Sequence, residues 1–357
     1  MIPGGALPGC RRASVQAEPY QQCRMRTACR LYVHACTDRP EEASHVKRYI
    51  LKKLLLAIPV MFGMVFITFI LLNVVPGDPI ALMMKEHISP DVVARVRAEM
   101  RLDDPVMVRF FRFLWNALHG DFGISYKLNR PVASLLLTAF PNTLKLAVAA
   151  ALVSWLIGIP AGILSAVRRY SFADNFFMGF SIMGVSMPVF WTGLLFQYIF
   201  AFKLGILPVA GFKGPEYLVM PAIVLGWSSA GTIARLTRSS LLEVMRNDYI
   251  RTARAKGLAE IKVILSHALK NSLLPVVTVM ALQVAGLLSG AVITESVFGI
   301  PGIGRVAVNA IQNRDMPLLQ GSVVLTTFIV IAGNIIADIM YSYLDPRIKY
   351  NKPGVSR

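Results

Sequence analysis

The sequence predicts an all-α polytopic membrane protein, and three observations carry that expectation. Of its 357 residues, 55% are hydrophobic and only 16% charged, against about 25% charged in a soluble domain. The apolar residues fall into blocks of roughly twenty, the length that crosses a bilayer as a helix. The Lys and Arg residues concentrate in alternate connections between those blocks, which is the signal that orients membrane helices. The net charge of +17 therefore points to the membrane face rather than to nucleic acid. No basic groove interleaved with aromatics, as nucleic-acid binding would need, is present.

Residues 1–45 are polar, irregular and Arg-rich, and lack the apolar run of a signal peptide. They are expected to be a disordered cytoplasmic extension, or an artefact of the chosen start. Their cysteines, Cys10, Cys23, Cys29 and Cys36, fit no zinc spacing. The structured chain is expected to begin near "VKRYILKKLLL".

Six apolar spans follow: Leu54–Val75, Leu144–Val167, Phe176–Phe202, Val219–Ile233, Leu274–Ser296 and Val323–Tyr343. The fourth is short and rich in small residues, so it is either tilted or continued as a helix into "RLTRSSLLEVM". Arg235–Lys270 holds eight basic residues against three acidic, whereas Pro76–Pro141 holds eight against seven. The positive-inside rule then places both termini, the Arg235–Lys270 loop and the 351–357 tail in the cytoplasm. The long loop 76–141 lies outside and carries two helix signals. One has Ser89 as N-cap and Pro90 in its first turn. The other runs from Asp104 and Pro105 to a Gly120 stop, with Val106, Phe110, Phe113, Leu114 and Ala117 on one face. That face is expected to lie against the protein body rather than on the membrane surface.

Buried ionisable groups announce intramembrane enzymes and pumps, and here they are scarce. Lys145, Glu295 and Asp338 sit near span ends, and no phosphate-binding loop, metal-binding motif or paired carboxylate occurs. No catalytic residue, metal site or cofactor is expected in this chain. The spans instead contain small residues and prolines, among them Gly158, Pro160, Gly162, Gly184, Ser186, Pro188, Gly193, Gly286 and Gly290, which permit close packing and kinks. Asn73, Gln197, Gln283, Ser289 and Asn334 are the polar candidates for lining a solute path.

"DYIRTARAKGLAEI", Asp248–Ile261, interrupts this apolar chain with a short basic helix that has its own start and stop. Asp248 is a suitable N-cap, Lys256 complements the negative helix end, and Gly257 is a natural terminator. So short a helix is unstable alone. A small, basic surface held between two spans suits docking into a partner's groove. A loop that serves topology alone explains the charges but not the cap, the alanines or the glycine.

"YIRTARAKG" followed by "HALKNSLLPVV" resembles the EAA-type loop of permease subunits of binding-protein-dependent ABC importers. "NVVPGDP", "GDFGISYKLNRPV", "ESVFGIPGIGR" and "SYLDPRIKY" match in order and spacing. The resemblance is to the dipeptide, oligopeptide and nickel branch, in the subunit with a long first external loop, and covers about residues 47–350. Arg251-Thr252-Ala253 replaces the first letters of the general motif and Pro275 lies farther from Gly257 than usual, as in the peptide branch. The resemblance implies the type I ABC importer permease fold with six transmembrane helices, a domain from 46 to 350 and a cytoplasmic coupling loop at 238–270. It implies import of dipeptides or short oligopeptides, with nickel chelates and glutathione-like solutes open. The implied partners are a homologous permease, two ABC ATPases carrying the Mg-ATP, an extracytoplasmic solute-binding protein and the lipid bilayer, in a bacterial inner membrane. Tyr249, Arg251, Thr252, Ala253, Arg254, Ala255, Lys256 and Gly257 would couple to an ATPase, the small residues packing in its cleft and the basic ones meeting acidic groups. Gly299, Pro301, Gly302 and Gly304 form a rigid turn expected at the external gate and binding-protein platform. A stand-alone channel or secondary transporter would account for six spans but not for the capped basic helix.

Overall fold

The alternation of apolar blocks and basic connections becomes a bundle of eleven helices in this computed structural model, which describes residues 40–74 and 104–344. The expectations for residues 1–39, for the Ser89–Pro90 helix and for the 351–357 tail lie outside the described residues, as do the four cysteines and the side chains of Asn73, Ser289 and Gly290.

Helix α1 runs over Pro40–Val74, α2 over Val106–Leu118 and α3 over Val132–Val167. Helices α4 (Phe172–Ser186) and α5 (Val189–Phe196) are followed by a π-helical stretch at Gln197–Lys203. Helix α6 spans Glu216–Val244, α7 Asp248–Ala255 and α8 Glu260–Lys262, which passes through a π-helical turn into α9, Leu269–Phe298. Helices α10 (Ile303–Gln312) and α11 (Met316–Leu344) complete the described chain.

Among the described residues, five helices are long and apolar enough to cross a membrane: α1 through Leu51–Leu71, α3, α6, the run from Glu260 to Leu288, and α11 through Met316–Met340. The third expected span, Phe176–Phe202, is not one helix. Helices α4 and α5 meet at 107°. Pro188 has no N–H to donate and holds Met187 out of the helical region, at φ −79° and ψ 133°. The bent pair still joins the two ends of the bundle. Asp174 in the first turn of α4 pairs with Arg238 beside Ser165, and Gly193 of α5 lies against Val297 and Phe298 near the far end of α9. With the five, this pair makes six candidate crossings among the described residues. A second elbow, of 76°, turns the end of α9 into α10.

Two expected boundaries move. The second span begins at Val132 rather than Leu144, so Pro141 lies inside α3 and the loop before it is shorter than its prolines suggest. The fourth runs past Ile233 to Val244, the longer of the two readings open for it. Helices α3 and α6 form the densest pairing. A Cβ at Gly158 would stand 2.8 Å from the Ala230 carbonyl oxygen, and one at Gly162 2.6 Å from that of Ala234. Such backbone contact holds helices together where lipid supplies no hydrophobic drive. The central core adds Leu146, Ala150, Met220, Val224, Leu287 and Phe298. Asp338, inside the sixth span, is met by Lys53 of α1 at 2.8 Å.

Candidate functional site

Two polar assemblies sit at opposite ends of the bundle. At the end holding the α6–α9 connection, α7 is short but does not stand alone. Ile250 and Ala253 are buried in one apolar cluster with Ala166 of α3, Leu241 of α6, and Val263 and Ala268 before α9. This packing stabilises a helix too short to persist in isolation. The start and stop differ in detail from the sequence reading. Asn247, at φ −72° and ψ 148°, occupies the N-cap position, and Asp248 is the first helical residue. Gly257 does end the helix, with φ +75° and its N–H donated to the Arg254 carbonyl at 2.9 Å, a left-handed conformation that strains any residue with a Cβ.

The eight proposed coupling residues divide accordingly. Ala253 is only 7% exposed and packs inside this chain, so its small size serves the chain's own core and not a partner's cleft. Tyr249 is 43% exposed, and its hydroxyl accepts from Asn271 Nδ2 at 3.0 Å. Arg251, Thr252, Ala255, Lys256 and Gly257 face outward. Arg251 is 75% exposed with Asp248 3.5 Å away, a weak solvated pair. Arg254 reaches around the Gly257 turn to Glu260 in a two-point contact, at 3.0 and 2.6 Å. It buttresses the turn instead of standing free to meet a partner.

Beside α7, a cluster that the sequence reading did not single out ties three helices. The Asp174 carboxylate of α4 accepts from Arg238 Nε and Nη2 of α6 at 2.9 and 2.8 Å, from the Ser165 hydroxyl of α3, and from the Tyr170 N–H at 3.0 Å. "SFAD" carried a signal for it: Ser171 caps α4 by accepting the Asp174 N–H at 3.3 Å, the S-x-x-D spacing of a helix start. In the sequence, Arg238 is one of the eight basic residues of Arg235–Lys270 and carries no separate signal.

At the other end, Glu295 is fully buried. Its carboxylate accepts the Thr143 hydroxyl of α3 at 2.7 Å and the Arg305 N–H at 3.0 Å, with the Gly304 N–H also directed to it. Thr143 in turn accepts the Ile303 N–H at 2.9 Å. Side chains from two membrane helices thus satisfy the otherwise unpaired first N–H groups of α10, with the Glu295 carboxyl group at the positive helix end. The candidate gate glycines are explained separately. Gly299 ends α9 in the left-handed region at φ +68°. Gly302 has φ −100° and is required for space, since a Cβ there would lie 2.3 Å from Glu295 Cδ. Gly304 would place one 2.5 Å from Val292 Cα. The Pro301 carbonyl accepts Asn142 Nδ2 at 2.9 Å.

Asp315 forms a second hub at this end. It is buried, and it accepts the Ser125 hydroxyl at 2.5 Å, the Tyr126 and Lys127 N–H groups at 3.2 Å and the Leu318 N–H at 3.3 Å. The last of these caps α11. The others clamp the turn at residues 123–131 to the α10–α11 junction. Burial and the neighbouring Asp315 carboxylate push the Tyr126 phenol above its usual pKa, with Arg109 opposing.

Three of the path candidates, Gln197, Gln283 and Asn334, have described side chains. Gln197 is spent on structure, its amide donating to the Val209 and Val297 carbonyls at 3.0 Å each. Gln283 donates to the Ser229 carbonyl at 2.7 Å and lies 3.5 Å from the Ser154 hydroxyl. Asn334 is exposed.

An α-helical bundle with a capped basic helix between two of its spans, and with its buried acids committed to helix caps and an ion pair, defines a transport subunit of the membrane. The chain belongs to the family described as binding-protein-dependent transport system inner membrane component, which it matches over residues 158–350, with the family's N-terminal region matched over 46–147. Among curated relatives, it is 39% identical over 337 residues to the dipeptide transport system permease protein DppB of Escherichia coli K12, covering 85% of this chain and 99% of that one. It is 38% identical over 330 residues to DppB of Alkalihalophilus pseudofirmus, with the same coverage. A putative peptide transport system permease protein of Brucella abortus is 39% identical over 310 residues. Among solved structures, the MetNI methionine ABC transporter in an inward-facing conformation matches with a TM-score of 0.51 at 18% identity, over 59% of this chain and 96% of that one. That likeness bears on fold alone, and it is to the type I ABC importer permease fold.

Proposed function

We propose that this chain is the permease subunit of an ATP-driven importer of dipeptides or short oligopeptides, forming half of the translocation path beside a homologous permease. ATP is hydrolysed on two ABC ATPase subunits, and an extracytoplasmic binding protein delivers the solute. Both termini and α7 face the cytoplasm of a bacterial inner-membrane cell envelope, as the lysine and arginine distribution supports. The observation that carries the coupling role is the division of α7. Ile250 and Ala253 fix it to the permease, while Arg251, Thr252, Ala255 and Lys256 are presented outward. The printed names of the dipeptide and peptide permease relatives support the solute class.

The test is uptake of a labelled dipeptide by proteoliposomes holding the complete complex, with ATP inside and the binding protein outside. Saturable, ATP-dependent uptake that unlabelled dipeptides suppress is expected. Suppression by a nickel chelate but not by peptides would contradict the solute class. For orientation, Lys127→Cys and Ala259→Cys serve in a variant lacking the four native cysteines. Both positions are exposed, whereas Ser125 in the same turn is buried. In intact cells an impermeant thiol reagent is expected to label 127 and spare 259.

A further inference from the structure

Helix α2 divides lengthwise into three sectors when its residues are set at 100° intervals. Phe110, Phe113 and Leu114 face the protein, packed on Phe66 and Phe69 of α1 and Val324 of α11. Arg109, Arg112 and Asn116 form a polar strip. Arg112 pairs with Asp104, and Arg109 is near enough to the 123–131 turn to act on the Tyr126 phenol. The third sector holds Met107, Val108, Phe111, Trp115 and Leu118, all exposed within about 100° of arc. A helix washed by water on that side would present polar residues there.

The depth of α2 indicates what covers the stripe. The Phe110 ring lies 5.5 Å from that of Phe62 and 5.1 Å from that of Phe66. Both rings belong to the Leu51–Leu71 span, more than one turn inside its Leu71 end. Val324 independently lies roughly two turns inside the Met316 end of α11. Two spanning helices thus set α2 below the rim of the apolar belt. Ile67 and Leu71, which share one side of α1, are likewise exposed apolar residues near this depth.

We propose that α2 is seated in the bilayer as an interfacial helix, with the Met107–Val108–Phe111–Trp115–Leu118 stripe solvated by lipid acyl chains and the Arg109–Arg112–Asn116 strip at the headgroups. This arrangement follows the physics of amphipathic helices in membrane interfaces, where Trp and Arg mark the boundary. Because α2 leads into the turn that Asp315 clamps, lipid fixes the height of that turn above the membrane. Only the choice of the outer leaflet rests on the orientation proposed above.

The experiment places a nitroxide at one of Met107→Cys, Phe111→Cys, Leu118→Cys or Asn116→Cys, in the complete complex reconstituted in bilayer nanodiscs without the native cysteines. Collision rates with oxygen and with a water-soluble nickel chelate are then read. Oxygen is expected to dominate at 107, 111 and 118, and the nickel chelate at 116. Nickel access at all four positions would place the stripe in water and overturn the proposal. Low collision with both reagents at 107, 111 and 118 would mean that a protein partner covers it, and would equally overturn it. If one label prevents assembly, the remaining stripe positions carry the same contrast. A complex that moves no peptide yet gives this pattern contradicts the solute assignment and leaves the seat of α2 standing.

Discussion

The two ends of the bundle handle polar groups in opposite ways. At the end where α9 turns into α10, Glu295 and Asp315 are buried; Glu295 accepts the Thr143 hydroxyl and the Arg305 backbone N–H, and Asp315 the Ser125 hydroxyl and the Tyr126 N–H. At the opposite end, α7 buries its apolar residues and leaves Arg251, Thr252 and Lys256 exposed. The polar groups of the first end are satisfied within one chain. On the function proposed above, the second end is half of an interface. A turn that must hold its shape as the bundle moves is built from saturated, buried hydrogen bonds, which are costly to break. A surface that exchanges force with another subunit must keep its contacts available.

That contrast breaks first where an outer hub is removed. Asp315→Ala leaves the Ser125 hydroxyl and three N–H groups without their acceptor, and each unsatisfied buried donor costs about 1–3 kcal/mol. Partial hydration of Tyr126 and Lys127 reduces the sum, so a loss of about 3 kcal/mol is expected, read as a lower thermal midpoint in detergent, with Asp315→Asn milder. A wild-type midpoint for the alanine variant would show that the hub does not hold the turn.

Gly302→Ala comes next. It drives a Cβ into the Glu295 carboxylate and is expected to cost about 1–3 kcal/mol as overpacking. The complex should assemble, with uptake lost and basal ATP hydrolysis kept. Normal uptake would remove the elbow from the gating account. Gly257→Val meets no neighbouring atom, so its cost is the left-handed backbone alone, about 1–2 kcal/mol. It should weaken ATPase attachment without altering membrane insertion, which a protease-protection assay reads. Arg254→Lys is the smallest. It exchanges a two-point contact with Glu260 for a single one, on an exposed pair worth less than about 1 kcal/mol, and coupled hydrolysis should fall only slightly.

The crossings of the bundle were legible in the sequence because bilayer length and loop charge are local signals. The bend between α4 and α5 was written in "SMPVF", but an apolar stretch reads the same whether straight or broken. Glu295 and Asp315 were visible as lone acids, one near a span end and one in a loop. Their roles depend on Thr143 and Ser125, distant in sequence, and no local pattern announces such a partner. Ala253 and Ala255 look alike in "TARAKG", yet two positions around a helix separate a buried face from an exposed one. That difference emerges only when Ala166, Leu241 and Val263 are placed.

The alanine pair supplies the most direct test of the divided helix. Ala253→Trp and Ala255→Trp are each introduced into the complete complex, and thermal midpoint, ATPase co-purification and solute-stimulated ATP hydrolysis are measured on the same preparations. The Ala253 variant is expected to lose about 1–3 kcal/mol of permease stability. The Ala255 variant should keep the wild-type midpoint while losing ATPase attachment and coupled hydrolysis. Wild-type attachment and coupling with tryptophan at 255 would contradict the assignment of the outward face of α7 as the surface that meets the ATPase.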